Sequence, residues 1–267
     1  MKTRLITTAI GIPFLIFVLV VRGWFAEIML VLFTLTALYE YYKALGVKYD
    51  VCTWGGYAAA LAMIPLNYAM GVLDPLLLVA AAMGISMSGV ILSKQPSFPN
   101  AAVSVYPLLT CLMPMCMFMV MLGRDFGLVP GIALITMTFG ISFGSDGFAY
   151  LIGRTWGRHK LCPSVSPKKT VEGAVGGLFG GILVAQLVRL WFVHVFKTPM
   201  PGIPAALLLG ALGSYAGQIG DLVASLLKRY TGIKDYGNLF PGHGGVMDRF
   251  DSVIFVLIVM YCYTLVL

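Results

Sequence analysis

Nine stretches of this chain, at roughly 5–21, 24–41, 55–71, 73–92, 102–122, 127–149, 172–194, 203–226 and 246–267, are apolar runs near the length that a helix needs to cross a bilayer. Such a helix takes about 20 apolar residues, with a range of about 17 to 25, because each residue rises only ~1.5 Å through a hydrocarbon layer ~30 Å thick. Backbone N–H and C=O groups in lipid have no water to bond. Each run must therefore close its hydrogen bonds within itself, as a helix does. Long strands of alternating pattern are absent, so a closed β-barrel is not expected. The expected fold class is all-α, a polytopic integral membrane helical bundle of about nine transmembrane helices. Composition agrees: 59% of residues are apolar and 11% charged, against about 25% charged in a soluble domain. No polar stretch is long enough to form a soluble domain, and no internal repeat is visible.

Charge sets the orientation. The formal net charge is +7, and in a membrane protein that excess reports topology before it reports nucleic-acid binding. With nine spans and a cytosolic N-terminus, 14 of the 18 Lys and Arg residues fall on the cytosolic side and 4 on the other. This is the bias of the positive-inside rule. Lys2 and Arg4 before the first run resemble a signal peptide, but a second apolar run follows almost at once, so the segment is expected to stay as an anchor. The five cysteines at 52, 111, 116, 162 and 262 are odd in number and form no CxxC pair. They are expected to be free thiols. Two organisational regions follow: residues 1–125 as scaffold helices, and 126–267 as a catalytic region with cytosolic loops at 150–171 and 228–246.

The stretch "KRYTGIKDYGNLFPGHGGVMDRFD", Lys228 to Asp251, gathers seven charged residues and five glycines into 24 positions. Asp221 stands seven residues before Lys228, roughly 10 Å inside the eighth run at ~1.5 Å per residue. Asp146 lies near the cytosolic end of the sixth run, and Asp248 and Asp251 open the ninth. By the expected topology all four lie near one depth on one side. Asp248 and Asp251 share a helix face at i, i+3, and Asp221 and Ser225 share one at i, i+4. A carboxylate in a membrane costs about 2.5–3.5 kcal/mol on insertion scales, so it carries a functional expectation. One account is ion pairing, of Asp248 with Arg249 or Arg229 and of Asp221 with Lys228. The other is a divalent metal site of the Mg²⁺ kind, which keeps part of its shell for substrate phosphates.

Basic residues stand beside these acids: Lys168, Lys169, Lys228, Arg229 and Lys234. Mixed clusters of this type suit phosphoryl transfer, where a metal and cations share developing charge. Gly242, Gly244 and Gly245 flank His243 and allow backbone to approach a ligand. The amides behind them, at the start of the ninth helix, favour an anion. His243 either donates to a phosphate or leaving group or caps the turn. In "SPKKTVEG", Ser166 to Gly173, Thr170 is placed to cap the seventh run with Glu172 in its first turn. Lys168 and Lys169 are disfavoured at a helix start and are expected to meet an anion. His159 and His194 carry no functional expectation.

The run "SLLKRYTGIKDYGNLFPGHGGVMDRFD", Ser225 to Asp251, resembles the signature of the phosphatidate cytidylyltransferase family, also called CDP-diglyceride synthase. Its fixed positions are Ser225, Lys228, Arg229, Lys234, Asp235, Gly237, Pro241, His243, Gly244, Gly245, Asp248, Arg249 and Asp251. Upstream, "SDGFAYLIGRTWGRHKL…SPKKTVEG" and "GQIGDLVASLLKR" look like further blocks of the family. Gly147 stands where a threonine or another small polar residue is expected. The resemblance covers about 142–251. It implies the reaction of CTP with phosphatidate to give CDP-diacylglycerol and pyrophosphate, with Mg²⁺ as cofactor and room for a second metal ion. It implies Asp221 and Asp248 as first metal ligands, with Asp251 and Asp146 in support. Lys228, Arg229, Lys234 and His243 would hold the triphosphate and pyrophosphate. Lys168, Lys169 and Thr170 would meet one of the phosphate groups, and Ser225, Gly244, Gly245 and Arg249 would complete the substrate-binding set. The implied partners are CTP, phosphatidate and the lipid bilayer, with no nucleic acid and with a homodimer compatible. The implied place is a bacterial-type plasma membrane, with the N-terminus and active site cytosolic.

Two other readings fit less of the chain. A related membrane phosphotransferase, of the polyprenol kinase or CDP-alcohol type, would use similar charges; the latter needs an Arg after the Asp-Gly pair, where Phe148-Ala149-Tyr150 stands instead. An ion-coupled transporter predicts charges at the bilayer midplane, and often a repeat.

Overall fold

In the computed structural model, residues 13, 17–18, 21, 23–69, 74–240, 242 and 244–267 are described. Among the described residues eight helices follow in order: α1 (Gly23–Leu45), α2 (Trp54–Ala69), α3 (Pro75–Ile91), α4 (Phe98–Gly123), α5 (Gly131–Thr155), α6 (Val171–His194), α7 (Ile203–Thr231) and α8 (Met247–Thr264). Two antiparallel pairs punctuate them: β1 (Asp125–Phe126) with β2 (Val129–Pro130), and β3 (Lys160–Cys162) with β4 (Ser166–Thr170). The all-α membrane architecture is as expected. Among the described residues five helices, α1, α4, α5, α6 and α7, are long and apolar enough to cross a membrane. The expected count of about nine exceeds this. α2 and α3 have 16 and 17 residues, α8 carries Asp248, Arg249 and Asp251 within its first turns, and the run at 5–21 lies outside the described residues.

Local chemistry fixes the helix starts. Asp74 accepts from Leu76 N at 2.8 Å ahead of Pro75 at the first position of α3. Ser97 accepts from Asn100 N at the start of α4, and Thr170 from Gly173 N at 3.1 Å at the start of α6. These are the side-chain acceptors that orphaned first-turn amides need. Thr170 thus caps the helix as its sequence position predicts. α4 widens into a π turn at Leu108–Leu112, between Pro107 and Pro114, a disturbance of the kind that proline introduces into the i→i−4 ladder.

The chain divides into two compact units, residues Met1–Val120 with Tyr230–Arg249, and Met121–Arg229 with Phe250–Leu267. In the first, Leu38, Met63, Leu108, Leu112 and Met119 are fully buried. Helices α2 and α3 approach so closely that a Cβ on Gly55 would lie 2.2 Å from the Ala82 carbonyl oxygen. In the second, α5 packs along α6. A Cβ on Gly180 would meet Phe148 Cβ at 2.5 Å, and one on Gly177 the Ser145 carbonyl oxygen at 3.0 Å. In lipid there is little hydrophobic drive between helices, so small residues that bring backbones together supply the packing. Large apolar side chains such as Leu77, Phe179 and Leu208 remain exposed, as lipid-facing surfaces require.

Two boundaries differ from expectation. The segment 150–171 is not an open loop: α5 continues to Thr155, and the β3–β4 hairpin then carries Lys168 and Lys169 on a strand. Strands of three and five residues with an irregular register are too short to read from sequence, where the proline and lysines look like a loop. Helix α7 runs on to Thr231, so Lys228 and Arg229 sit in its last turn rather than in a loop starting at 228. Cations there complement the helix dipole.

Candidate active site

In the second unit, four elements converge on a group of charges. Lys169 on β4 pairs with Asp221 on α7, Nζ to Oδ2 at 2.7 Å, each side chain about three-quarters buried. One turn along α7, the Ser225 hydroxyl donates to Asp221 Oδ1 at 3.4 Å, as their i, i+4 spacing predicts. Asp251 on α8 is within electrostatic reach of Asp221, Lys228 and Asp146. Asp146 on α5 accepts from the Ser252 hydroxyl at 3.3 Å, and Ser252 in turn is bonded to Ser142 at 2.9 Å. Arg229 Nε donates to the Val165 carbonyl at the hairpin turn, at 3.4 Å. Asp221 pairs with Lys169, a partner that the sequence did not point to, because the hairpin folds that lysine back against α7.

The hairpin is itself tied down. The Glu172 carboxylate accepts from the amides of Arg158 and His159 and pairs with His159 Nδ1 at 2.6 Å. His159 is therefore a local tether, consistent with its lack of functional expectation. Val171 N donates to the His159 carbonyl at 2.9 Å, closing the strand pair onto α6. These contacts fix where Lys169 and Thr170 stand. Lys168, next to Lys169, is exposed.

In the first unit, the glycine-rich segment before α8 is folded around carboxylates. Asp248 Oδ2 accepts from Tyr236 N at 2.8 Å and from Gly245 N at 2.9 Å. Gly244 takes φ +85°, which only glycine adopts readily, and accepts from Phe240 N at 2.9 Å. The next two amides go to a residue that no sequence signal singled out. Glu40 on α1, 3% exposed, accepts from Val246 N at 3.0 Å through Oε1 and from Met247 N at 2.9 Å through Oε2. The sequence expectation was that these helix-start amides would hold a ligand anion. The anions there are the protein's own. An acid near the end of an apolar run was the available signal, since insertion of such a group is costly unless it is partnered. Lys234 and Arg249 are exposed in this unit. His243 and Pro241 lie outside the described residues.

Among the described residues no group of three or more His, Cys, Asp and Glu side chains is gathered to hold a metal ion. An all-protein cage is thus not what the donors offer. Asp221 and Asp251, with Asp146 nearby, fit a cation that takes one or two carboxylates and completes its shell with water and phosphate, which is the habit of Mg²⁺.

Comparison with known proteins follows the same direction. The model of a family described as the cytidylyltransferase family matches residues 2–267. The chain is 46% identical over 127 residues to a protein of Staphylococcus aureus (strain COL) named phosphatidate cytidylyltransferase, a stretch of 48% of this chain and 47% of that one. It is 42% identical over 131 residues to the protein of that name from Bacillus subtilis (strain 168), covering 49% and 47%. A Staphylococcus haemolyticus protein of the same name is 45% identical over 127 residues. The chain spans about half the length of the curated relatives it matches. Matched by one family model from its second residue to its last, the chain belongs to the cytidylyltransferase family.

Proposed function

We propose that the protein is a phosphatidate cytidylyltransferase, converting CTP and phosphatidate to CDP-diacylglycerol and pyrophosphate for phospholipid synthesis. The observation that carries this reading is the Lys169–Asp221 pair at 2.7 Å with Lys228 and Asp251 beside it. It puts cations and carboxylates together near the end of a helix long enough to span a membrane. The family membership and the names of the relatives support the same reaction.

The chemistry asks little of a general base. The phosphatidate phosphate is already anionic, and one of its oxygens attacks the α-phosphorus of CTP. A new P–O bond forms as the α–β P–O bond breaks, and pyrophosphate leaves with the electron pair. What the reaction needs is charge screening and in-line placement. Lys169, Lys228 and Arg229 serve that need in the second unit; Lys234 and His243 are proposed to serve it from the segment before α8, and Arg249 from its first turn. Ser225 and Thr170 hold Asp221 and the start of α6. Mg²⁺, held by Asp221 and Asp251 with Asp146 in support and with Asp248 as a further ligand, would neutralise charge on the triphosphate; a second metal ion is compatible.

The topology belongs to this proposal too. It has nine spans, counting the run at 5–21 and the shorter helices α2, α3 and α8, with the N-terminus and active site on the cytosolic face of a bacterial-type plasma membrane. Residues 1–125 then act mainly as scaffold and 126–267 as the catalytic region, and a homodimer is compatible. The lipid enters sideways from the bilayer and CTP from the cytosol.

The test is pyrophosphate release by the purified protein in detergent, with CTP, phosphatidate and Mg²⁺ supplied together and each left out in turn. Release that needs all three and yields a CDP-lipid is expected. Absence of release from folded, lipid-supplied protein would overturn the reading.

A further inference from the structure

Glu40 belongs to none of the charged segments that the reaction claims. It lies near the end of α1, 3% exposed, within a helix long and apolar enough to span a membrane. Its two oxygens are used separately, Oε1 by Val246 N at 3.0 Å and Oε2 by Met247 N at 2.9 Å. The backbone has been cut back to admit it. A Cβ on Gly245 would lie 2.1 Å from Oε1, and a Cβ on Gly237 would lie 2.2 Å from the same atom. One residue before Gly237, Tyr236 meets the ring of Tyr41 edge-on at 5.2 Å, and Tyr41 neighbours Glu40 in sequence. Tyr236 N and Gly245 N in turn both donate to Asp248 Oδ2.

Two carboxylates therefore tie Tyr236 to residues 245–247, Asp248 from within the segment and Glu40 from α1. Together they consume the amides of Gly245, Val246 and Met247. A phosphate arriving at the start of α8 finds none of these three donors free, and must be met by side chains instead. Glutamate is long enough to span from α1 to both amides, and its charge matches the positive end of α8.

We infer that Glu40 is a positioning residue for the cytidylyl transfer proposed above, holding residues 244–248 so that Asp248 faces the nucleotide. The inference rests on that reaction for its kinetic consequence, but the hold on the segment is a property of the chain alone.

The experiment uses the full chain, purified in detergent, as wild type, E40Q and E40D. Two readouts are taken: amide hydrogen exchange of the peptide covering 244–248, and steady-state kinetics with CTP and phosphatidate varied separately. E40Q places an NH₂ group against one amide and lacks the charge, whereas E40D keeps the charge with a shorter reach. The expected result is exchange at 244–248 faster by about tenfold or more in E40Q, with that of α5 and α6 unchanged. The KM for CTP should rise by about tenfold, the KM for phosphatidate should stay within about twofold, and E40D should recover part of the loss. A Glu40 that served stability alone would lower the unfolding temperature and leave both KM values where they were; that result overturns the inference. Unchanged exchange at 244–248 also overturns it, whatever the activity. If wild type itself makes no CDP-lipid, the reaction is refuted, and the exchange readout still decides whether Glu40 holds the segment. Should E40Q fail to fold, G245A takes its place, since its new methyl group displaces the Glu40 carboxylate without removing its charge.

Discussion

Asp248→Ala and Asp248→Asn differ in what they leave behind for two backbone donors. In the structure one oxygen, Oδ2, accepts from Tyr236 N at 2.8 Å and from Gly245 N at 2.9 Å, and Tyr236 and Gly245 are buried. Hydrogen bonds to a charged acceptor contribute about 1.5–3 kcal/mol each, so alanine removes about 3–6 kcal/mol. Asparagine keeps an oxygen in place and exchanges charged bonds for neutral ones of roughly half the strength, a loss of about 1.5–3 kcal/mol. At about 2–4 °C per kcal/mol for a chain of this size, alanine should lower the unfolding temperature by about 6–24 °C and asparagine by about half as much. Turnover should fall in both, by about 100-fold or more, because neither carries the charge that the reaction uses. Unfolding of the purified protein in detergent, followed by intrinsic fluorescence, gives the first quantity, and CTP-dependent pyrophosphate release the second. Equal unfolding temperatures for the two variants would refute the two-amide geometry. Full turnover in Asp248→Asn would remove Asp248 from the metal and substrate set.

Lys169→Met breaks the pair with Asp221, but the partners are partly exposed, so stability should change by less than about 1 kcal/mol while kcat/KM for CTP drops about tenfold or more; matched losses in both would make the pair structural. Chelation of divalent cations should abolish turnover, with Mg²⁺ restoring it, and turnover that persists in chelator would rule out the metal proposal. Gly180→Ala puts a methyl group 2.5 Å from Phe148 Cβ, and the forced separation of α5 and α6 should cost about 1–3 kcal/mol, read as a lowered unfolding temperature. Glu172→Ala removes the acceptor for the Arg158 and His159 amides, so exchange at 158–160 should rise.

The apolar runs made the helices legible, because a run of that length has one way to satisfy its backbone in lipid. The i, i+4 relation of Asp221 and Ser225 and the cap at Thr170 were legible for the same reason: both depend on helical spacing alone. The Lys169–Asp221 pair was not, since it depends on a hairpin of three and five residues folding back against α7. Nor was Glu40. Its partners lie 206 and 207 residues away, and a lone acid near the end of an apolar run looks like its polar edge. The role of the helix-start amides was misread for that reason: the anion waiting for them comes from a distant part of the chain.

The β3–β4 hairpin has a consequence for the two adjacent lysines. Lys160 pairs with Thr170 and Cys162 with Ser166, so three residues of β4, Pro167, Lys168 and Lys169, stand opposite one of β3 and the strand bulges there. Lys169, largely buried, pairs with Asp221, and Lys168 is left exposed. Side by side in the sequence, the two lysines differ in their surroundings. Inserting a neutral residue between Lys169 and Thr170 would keep both lysines and the net charge, yet change which side chain stands against Asp221. The spacing to the cap at Thr170, more than the number of lysines, decides which cation reaches the interior.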